Sequence, residues 1–282
     1  MLVRDFDPRT VLTLARKELR DALRSRWFIL YAVAFAVLAL GLSALSLGGA
    51  DLVGFAAFGR AAGGLINLVA LIVPLMALTI GAQSVAGEAE RGTLGLILAQ
   101  PVSRAEVLAG KFLGAALALL GVLTAGFGVS SLILGASAAA AAPPGLLAWL
   151  IGTAFLFGLA MLAVGFLIST TTTRAGVAIA VATFTWLGLV LLGDLGLMGS
   201  ALMMKLSTGT LLGLAISNPV QAFKITALIG LNATLDLLGP AGMYAVTVYG
   251  RGLARLLLAI LLAWTLVPLL VSGLIFGRRS VR

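Results

Sequence analysis

The stretch Gln83-Ser84-Val85-Ala86-Gly87-Glu88-Ala89-Glu90-Arg91-Gly92-Thr93-Leu94-Gly95-Leu96-Ile97-Leu98-Ala99-Gln100-Pro101-Val102-Ser103-Arg104-Ala105-Glu106-Val107-Leu108-Ala109-Gly110-Lys111 separates two long apolar runs. It holds the densest polar cluster outside the N-terminus, and its punctuation decides the fold. Gly92 breaks a helix arriving through Glu88 and Glu90, because glycine inside a helix costs about 1 kcal/mol relative to alanine. Thr93 is placed to cap a short helix of Leu94, Leu96, Ile97 and Leu98, which Pro101 stops. Ser103 and Glu106 form a capping box, each side chain satisfying the other's orphan amide, so a long helix begins there. The expectation is a membrane helix, a short surface helix across its end, and a second membrane helix.

Composition supports the outer two. The 282 residues are 61% hydrophobic and 10% charged, with a mean hydropathy of +1.16, whereas soluble domains carry about 25% charge. A bilayer core of about 30 Å takes roughly 20 apolar residues per helix, and the apolar runs make about six crossings. Without water at that depth only helices or closed barrels satisfy the backbone, and these runs are too long for barrel strands. The chain has no cysteine and no histidine, which excludes disulfides, thiolate chemistry and imidazole metal ligation. The pI near 11.1 reflects basic residues flanking membrane segments rather than a nucleic-acid surface.

Residues 1–26 read as an amphipathic interfacial helix. Asp7-Pro8 is an N-cap and first-turn pair. Val11, Leu12, Ala15, Leu19, Ala22 and Leu23 recur on one face, with Arg16, Lys17, Arg20, Arg24 and Arg26 largely on the other, a pattern suited to an anionic lipid leaflet. The segment is too long and too charged for a signal-peptide n-region, so it is expected to be retained. Residues 27–193 hold crossings one to five, at Trp27 to Leu47, Ala62 to Gln83, Val107 to Gly135, Gly145 to Ile168 and Ala175 to Gly193, with the polar loop at 84–106 between the second and third. Asn67 and Pro74 in the second are candidates to line a pathway. A bond to a neighbouring helix and an ordinary proline kink are the alternative reading.

Residues 194–252 break this rhythm. Leu195 to Ile216 could just span, but Lys205 near its centre favours two short helices dipping back to the surface. Asn218-Pro219 marks a boundary, Val220 to Leu238 is amphipathic, and Gly239-Pro240 ends it. Residues 253–282 are the sixth crossing and a basic tail. With both termini inside, fourteen of the 19 basic residues lie on the inner side. Arg60, Lys205, Lys224, Arg251 and Arg255 lie outside, as the positive-inside rule requires.

The chain has no phosphate-cradling Gly-x-x-x-x-Gly-Lys-Ser/Thr motif and no intramembrane acid/base pair, so its work must be driven by a bound partner. Glu88 and Glu90 stand at a helix C-terminus, where the dipole disfavours acid by a few tenths of a kcal/mol. Arg91, basic residues of the N-terminal helix, or a partner protein would compensate; plain solvation is the alternative.

The pattern Gly87-Glu88-x-Glu90-Arg91-Gly92-Thr93-Leu94 followed by Gln100-Pro101-Val102-Ser103-Arg104 resembles the first cytoplasmic loop of ABC-2 type permeases. The resemblance implies an all-α integral membrane protein with six crossings, an N-terminal elbow helix, and a helical extracytoplasmic segment between helices five and six. It implies that the short helix is a coupling helix, with Glu88, Glu90, Arg91, Gly92, Thr93, Leu94, Leu96, Ile97, Leu98 and Pro101 meeting a separate ATPase that holds ATP and Mg. This chain would be a non-catalytic half-transporter working as two copies in a bacterial or archaeal cytoplasmic membrane.

Within that family, Ala15-Arg16-Lys17-Glu18-Leu19-Arg20-Asp21, the loop Glu88 to Arg104, and Ser217-Asn218-Pro219-x-x-x-Phe223-Lys224 are similar to the permeases that serve copper-centre maturation of nitrous-oxide reductase. That resemblance implies a NosF-like ATPase, a NosD-like β-helical periplasmic protein and a sulfur or copper-related cargo. Lys205, Asn218, Pro219, Phe223 and Lys224 would contact the periplasmic partner. A general exporter of a drug, lipid or other hydrophobic solute, or a non-transporting mechanical coupler, fits the same frame.

Overall fold

The computed structural model describes residues 7–48, 55–136, 144–193, 208–231, 250 and 252–278. These residues are all-helical: α1 (Pro8–Arg24), α2 (Arg26–Gly48), α3 (Phe55–Glu90), α4 (Thr93–Leu98), α5 (Arg104–Ala136), α6 (Pro144–Thr171), α7 (Ala175–Leu187) continued as a π-helix (Gly188–Leu192), α8 (Thr208–Ser217), α9 (Pro219–Gly230) and α10 (Gly252–Arg278). Five of them are long and apolar enough to cross a membrane, over Arg26–Leu45, Ala62–Glu90, Arg104–Leu132, Pro144–Thr171 and Gly252–Arg278. The expected crossing at Ala175 to Gly193 is shorter. With its π-helical extension it rises about 25 Å, just under a hydrocarbon core of roughly 30 Å.

The bundle is built around α3 and α6. Their membrane windows are 78% and 61% buried, against 22% for both α2 and α10, so α2 and α10 turn most of their apolar surface outward. α6 packs against α3, α5, α9 and α10, and Leu150, Phe157, Met161 and Phe166 fill its surroundings. The α3–α6 contact is close because both helices present glycine. A Cβ on Gly81 would lie 2.7 Å from the Leu162 carbonyl oxygen and 2.9 Å from Gly165 Cα, the small-residue packing that lets membrane helices approach. Four residues on, Ser169 Oγ accepts from the amides of Val85 at 2.9 Å and Ala86 at 2.8 Å. The side chain of one helix thereby enters the backbone ladder of the other.

Three tryptophans act as interhelical ties. Trp186 Nε1 donates to the Leu71 carbonyl at 2.9 Å, three residues before Pro74 interrupts α3. Trp149 Nε1 donates to the Thr226 carbonyl, and Trp264 Nε1 to that of Ser217. The last two fasten α8 and α9 into the bundle. The amphipathic reading of Val220 to Leu238 is corrected over the part described: Val220, Gln221, Ala222, Phe223, Ile225, Thr226 and Ala227 are all buried. Phe223 stacks on Phe157 with centroids 4.7 Å apart and planes 9° apart. Lys224, Asn232 and Asp236 make the stretch read as amphipathic; the latter two lie outside the described residues, and α6 and α10 cover most of the part described.

Candidate functional site around the short helix

The polar stretch folds as a break, a short helix and a restart, with one correction at the break. α3 runs to Glu90, and Gly92 adopts φ 71°, ψ 1°, a left-handed turn that glycine enters without steric cost. Thr93 does not cap α4: it is the first helical residue, and its hydroxyl donates back to the Glu88 carbonyl. α4 then lies with Leu94 buried, Ile97 and Leu98 half-buried, and Leu96 70% exposed. Glu90, Arg91, Gly92 and Pro101 are exposed around it, and Thr93 is half-buried.

The restart is the expected capping box. Ser103 N donates to Glu106 Oε2 at 2.6 Å, and Glu106 N to Ser103 Oγ at 3.2 Å. Glu106 also accepts from Asp7 N at 2.7 Å through Oε1, so one carboxylate joins the starts of α5 and α1. Asp7 in turn accepts from Arg9 N and from the Thr10 hydroxyl, the N-cap read from Asp7-Pro8.

Glu88 points inward. It is 5% exposed, and its Oε1 accepts from Lys111 Nζ at 2.8 Å and Lys17 Nζ at 3.1 Å. Lys111 also reaches Glu18 Oε2 at 3.0 Å and the Ser84 carbonyl at 3.2 Å. Of the partners weighed for Glu88, the N-terminal helix is the one found, with Lys111 added. In this arrangement Glu88 is no part of the exposed face of the loop. The knot is possible because α1 lies on Gly110 and Gly114 of α5. A Cβ on Gly110 would meet Leu14 Cβ at 2.5 Å, and one on Gly114 would meet the Ala15 carbonyl oxygen and Glu18 Cβ.

The remaining charges bind other helix ends. Glu90 Oε2 accepts from Ala175 N at 2.7 Å, at the start of α7. Arg104 donates to the Phe276 carbonyl at 2.7 Å, at the end of α10, and its guanidinium lies 6.0 Å from the Phe276 ring centroid. Outside the knot and its contacts, α1 exposes Arg16, Arg20 and Arg24. The sequence alone pointed to neither Lys111 nor Glu18; the glycine pair flanking Lys111 was the available signal.

The other expected site residues fall apart from this loop. Asn67 is exposed on α3 and Pro74 is buried in it. Asn218 caps α9 by accepting from Val220 N at 2.9 Å, and its amide donates to the Leu189 carbonyl of the π-helix at 2.7 Å. Pro219 and Phe223 are buried, so as folded they offer nothing to an outside partner. Lys224 is half-buried, and Lys205 lies outside the described residues.

A helical bundle with five spans long and apolar enough to cross a membrane, two of which, α3 and α5, are joined by a small, firmly braced helix, has the form of a multi-pass membrane protein. The chain belongs to the ABC-2 family of transporter proteins, whose profile matches residues 12–281. It is similar to two curated proteins that carry the name probable ABC transporter permease protein NosY. The Stutzerimonas stutzeri protein is 32% identical over 275 residues, 95% of this chain and 98% of its own. The Pseudomonas aeruginosa protein is 33% identical over 228 residues, 79% and 83% of the two chains.

Proposed function

We propose that this chain is the NosY-type membrane subunit of an ABC transporter that moves a sulfur or copper-related factor for maturation of the copper centres of nitrous-oxide reductase. Two copies work with a dimeric NosF-like ATPase, which holds ATP and Mg, and with a NosD-like β-helical periplasmic protein. No catalysis is assigned to the permease itself. The cargo reading is supported by similarity to NosY permeases along nearly the whole chain.

The observation that carries the mechanism is α4. Leu94 anchors it, and Leu96 stands 70% exposed at its crest. Burying such a side chain in a partner cleft is worth about 1.5–3 kcal/mol, enough to make it the main apolar contact of a coupling helix. With α4 on the cytoplasmic side, the charge distribution supports six crossings with both termini inside, α7 and its π-helical extension serving as the fifth. The exposed basic face of α1 then meets anionic lipid. Asn67, exposed on the apolar stretch 62–78 of α3, marks the face of α3 that meets the second copy or a pathway between copies, since an amide facing hydrocarbon is costly.

Leu96→Asp should leave the chain inserted in the membrane and abolish co-purification of the ATPase. Normal co-purification would remove α4 from the coupling role. Purification of the unmodified complex with a β-helical periplasmic protein supports the maturation reading, and recovery of the ATPase alone favours a general exporter.

A further inference from the structure

α7 is regular from Ala175 to Leu187 and then widens into the π-helix Gly188–Leu192. A π turn closes its bonds five residues apart rather than four, so it holds one residue more than an α turn and is a recurrent site of bending. Here the chain is gripped on both sides of the wide turn. Just before it, Trp186 Nε1 donates to the Leu71 carbonyl of α3 at 2.9 Å, three residues from the interruption at Pro74. Inside it, the Leu189 carbonyl accepts from Asn218 Nδ2 at 2.7 Å, and Asn218 is the residue between α8 and α9. The second grip is close, because a Cβ on Gly193 would lie 2.5 Å from that amide nitrogen. The rest of α7 is held on one side only: it packs chiefly on α3 and leaves Val177, Val181, Phe184 and Leu187 exposed.

We infer that the π turn is a hinge in α7 and that Asn218 is its latch. With the latch closed, the end of α7 is fixed to the α8–α9 junction, while its main part rides on α3 through Trp186. Opening the latch frees the wide turn to bend, and the two parts of α7 then move independently. The chemistry of the asparagine makes this separable from its other task. Its Oδ1 caps α9 by accepting from Val220 N at 2.9 Å, and only its Nδ2 serves α7. An aspartate caps a helix as well as an asparagine, but it has no N–H for Leu189 and sets a carboxylate oxygen against that carbonyl. The inference needs neither the ATPase nor the cargo, and it stands if either of those readings fails.

The test is a distance across the turn, measured by pulsed electron paramagnetic resonance on the full chain in mild detergent. The chain has no cysteine, so Val177→Cys and Leu191→Cys, both at exposed positions, take one nitroxide each. The labelled backbone sites lie about 20 Å apart along the helix at 1.5 Å per residue, and excess unlabelled chain keeps the reading within one copy. One narrow distance is expected with Asn218 present, and a broadened or second distance in Asn218→Asp. Gly193→Ala, which displaces the amide without altering it, should broaden the distance as well. Amides 189–193 should exchange about fivefold faster in both variants, the worth of one hydrogen bond, while amides 220–223 keep their protection in Asn218→Asp. Deleting Gly188 removes the extra residue, and in that chain Asn218→Asp should leave the distance narrow. Faster exchange with an unchanged narrow distance would make the bond a static tie and overturn the hinge. Equal broadening in the chain lacking Gly188, or a broad distance in the unaltered protein, would overturn it too.

Discussion

Lys111 extends from α5 into a site where its ammonium has three acceptors and its side chain is 4% exposed. Lys17 bonds the same Glu88 oxygen from a side chain 49% exposed. The two lysines look alike in a contact diagram and differ in energy. Lys111→Met leaves Glu18 without its partner and Glu88 with only the half-exposed Lys17, which should cost up to about 3–5 kcal/mol and lower the melting temperature sharply in detergent. Lys17→Met removes a solvent-screened pair and should cost under about 1 kcal/mol. Equal losses would mean that the knot is not organised around Lys111. Lys17 also fixes the pH response. Burial pulls its pKa down, but Glu88, with help from Glu18 and Asp21, outweighs this and raises it above 10.5. A raised lysine pKa stabilises fully below 10.5 and loses its contribution only as pH rises through the higher folded value. Between about pH 6 and 9 the contribution of Lys17 to the melting temperature should therefore be flat, and the chain has no histidine to titrate there. A drop within that range would contradict the lysine–carboxylate account.

Among the helices, α1 depends most on a single packing detail. Its backbone touches α5 at Gly110 and Gly114, and the ionic knot closes only at that distance. Gly114→Val would drive a side chain into Ala15 and Glu18, an overpacking cost of about 1–3 kcal/mol. The expected result is an inserted protein whose α1 is lifted, seen as faster tryptic cleavage after Arg16 or Arg20; unchanged cleavage would deny the seat. The legible features of the sequence were the ones whose partners are close in the chain. Asp7-Pro8, Ser103 with Glu106, and Asn218-Pro219 each satisfy an amide within three residues, so the cap could be read without the fold. At the break the local rule misassigned the work, because Thr93 is a good cap residue but the positive φ of Gly92 makes the turn. The knot was illegible because Glu18, Glu88 and Lys111 come from three elements, and nothing local distinguishes a buried lysine from a flanking one. The burial of α9 was hidden likewise, since Trp149 and Phe157 reach it from a helix far earlier in the chain.

Across the whole molecule, the loop around α4 serves as a junction box for helix ends. Glu106 holds the start of α1, Glu90 the start of α7 and Arg104 the end of α10, while Glu88 and Lys111 lock α1 to the last turns of α3. Acids sit at N-termini and an arginine at a C-terminus, the sense in which helix dipoles and orphan backbone groups are both satisfied. On the proposed coupling role, a displacement of α4 would reach several spans through the short polar links that flank it, whereas the apolar outer surfaces of α2 and α10 face outward. Glu90 is the most separable of these links, because it is exposed and its bond to Ala175 N stands apart from the knot. Glu90→Ala should remove about 1 kcal/mol of capping from α7, with faster hydrogen exchange at amides 175–178 and little change in overall melting. Leu96 remains in place, so the ATPase should still co-purify while ATP-driven work declines. Leu96→Asp should give the reverse, with protected α7 amides and no ATPase. Unchanged exchange at α7 in Glu90→Ala would show that motion of α4 reaches α7 through packing rather than through this carboxylate.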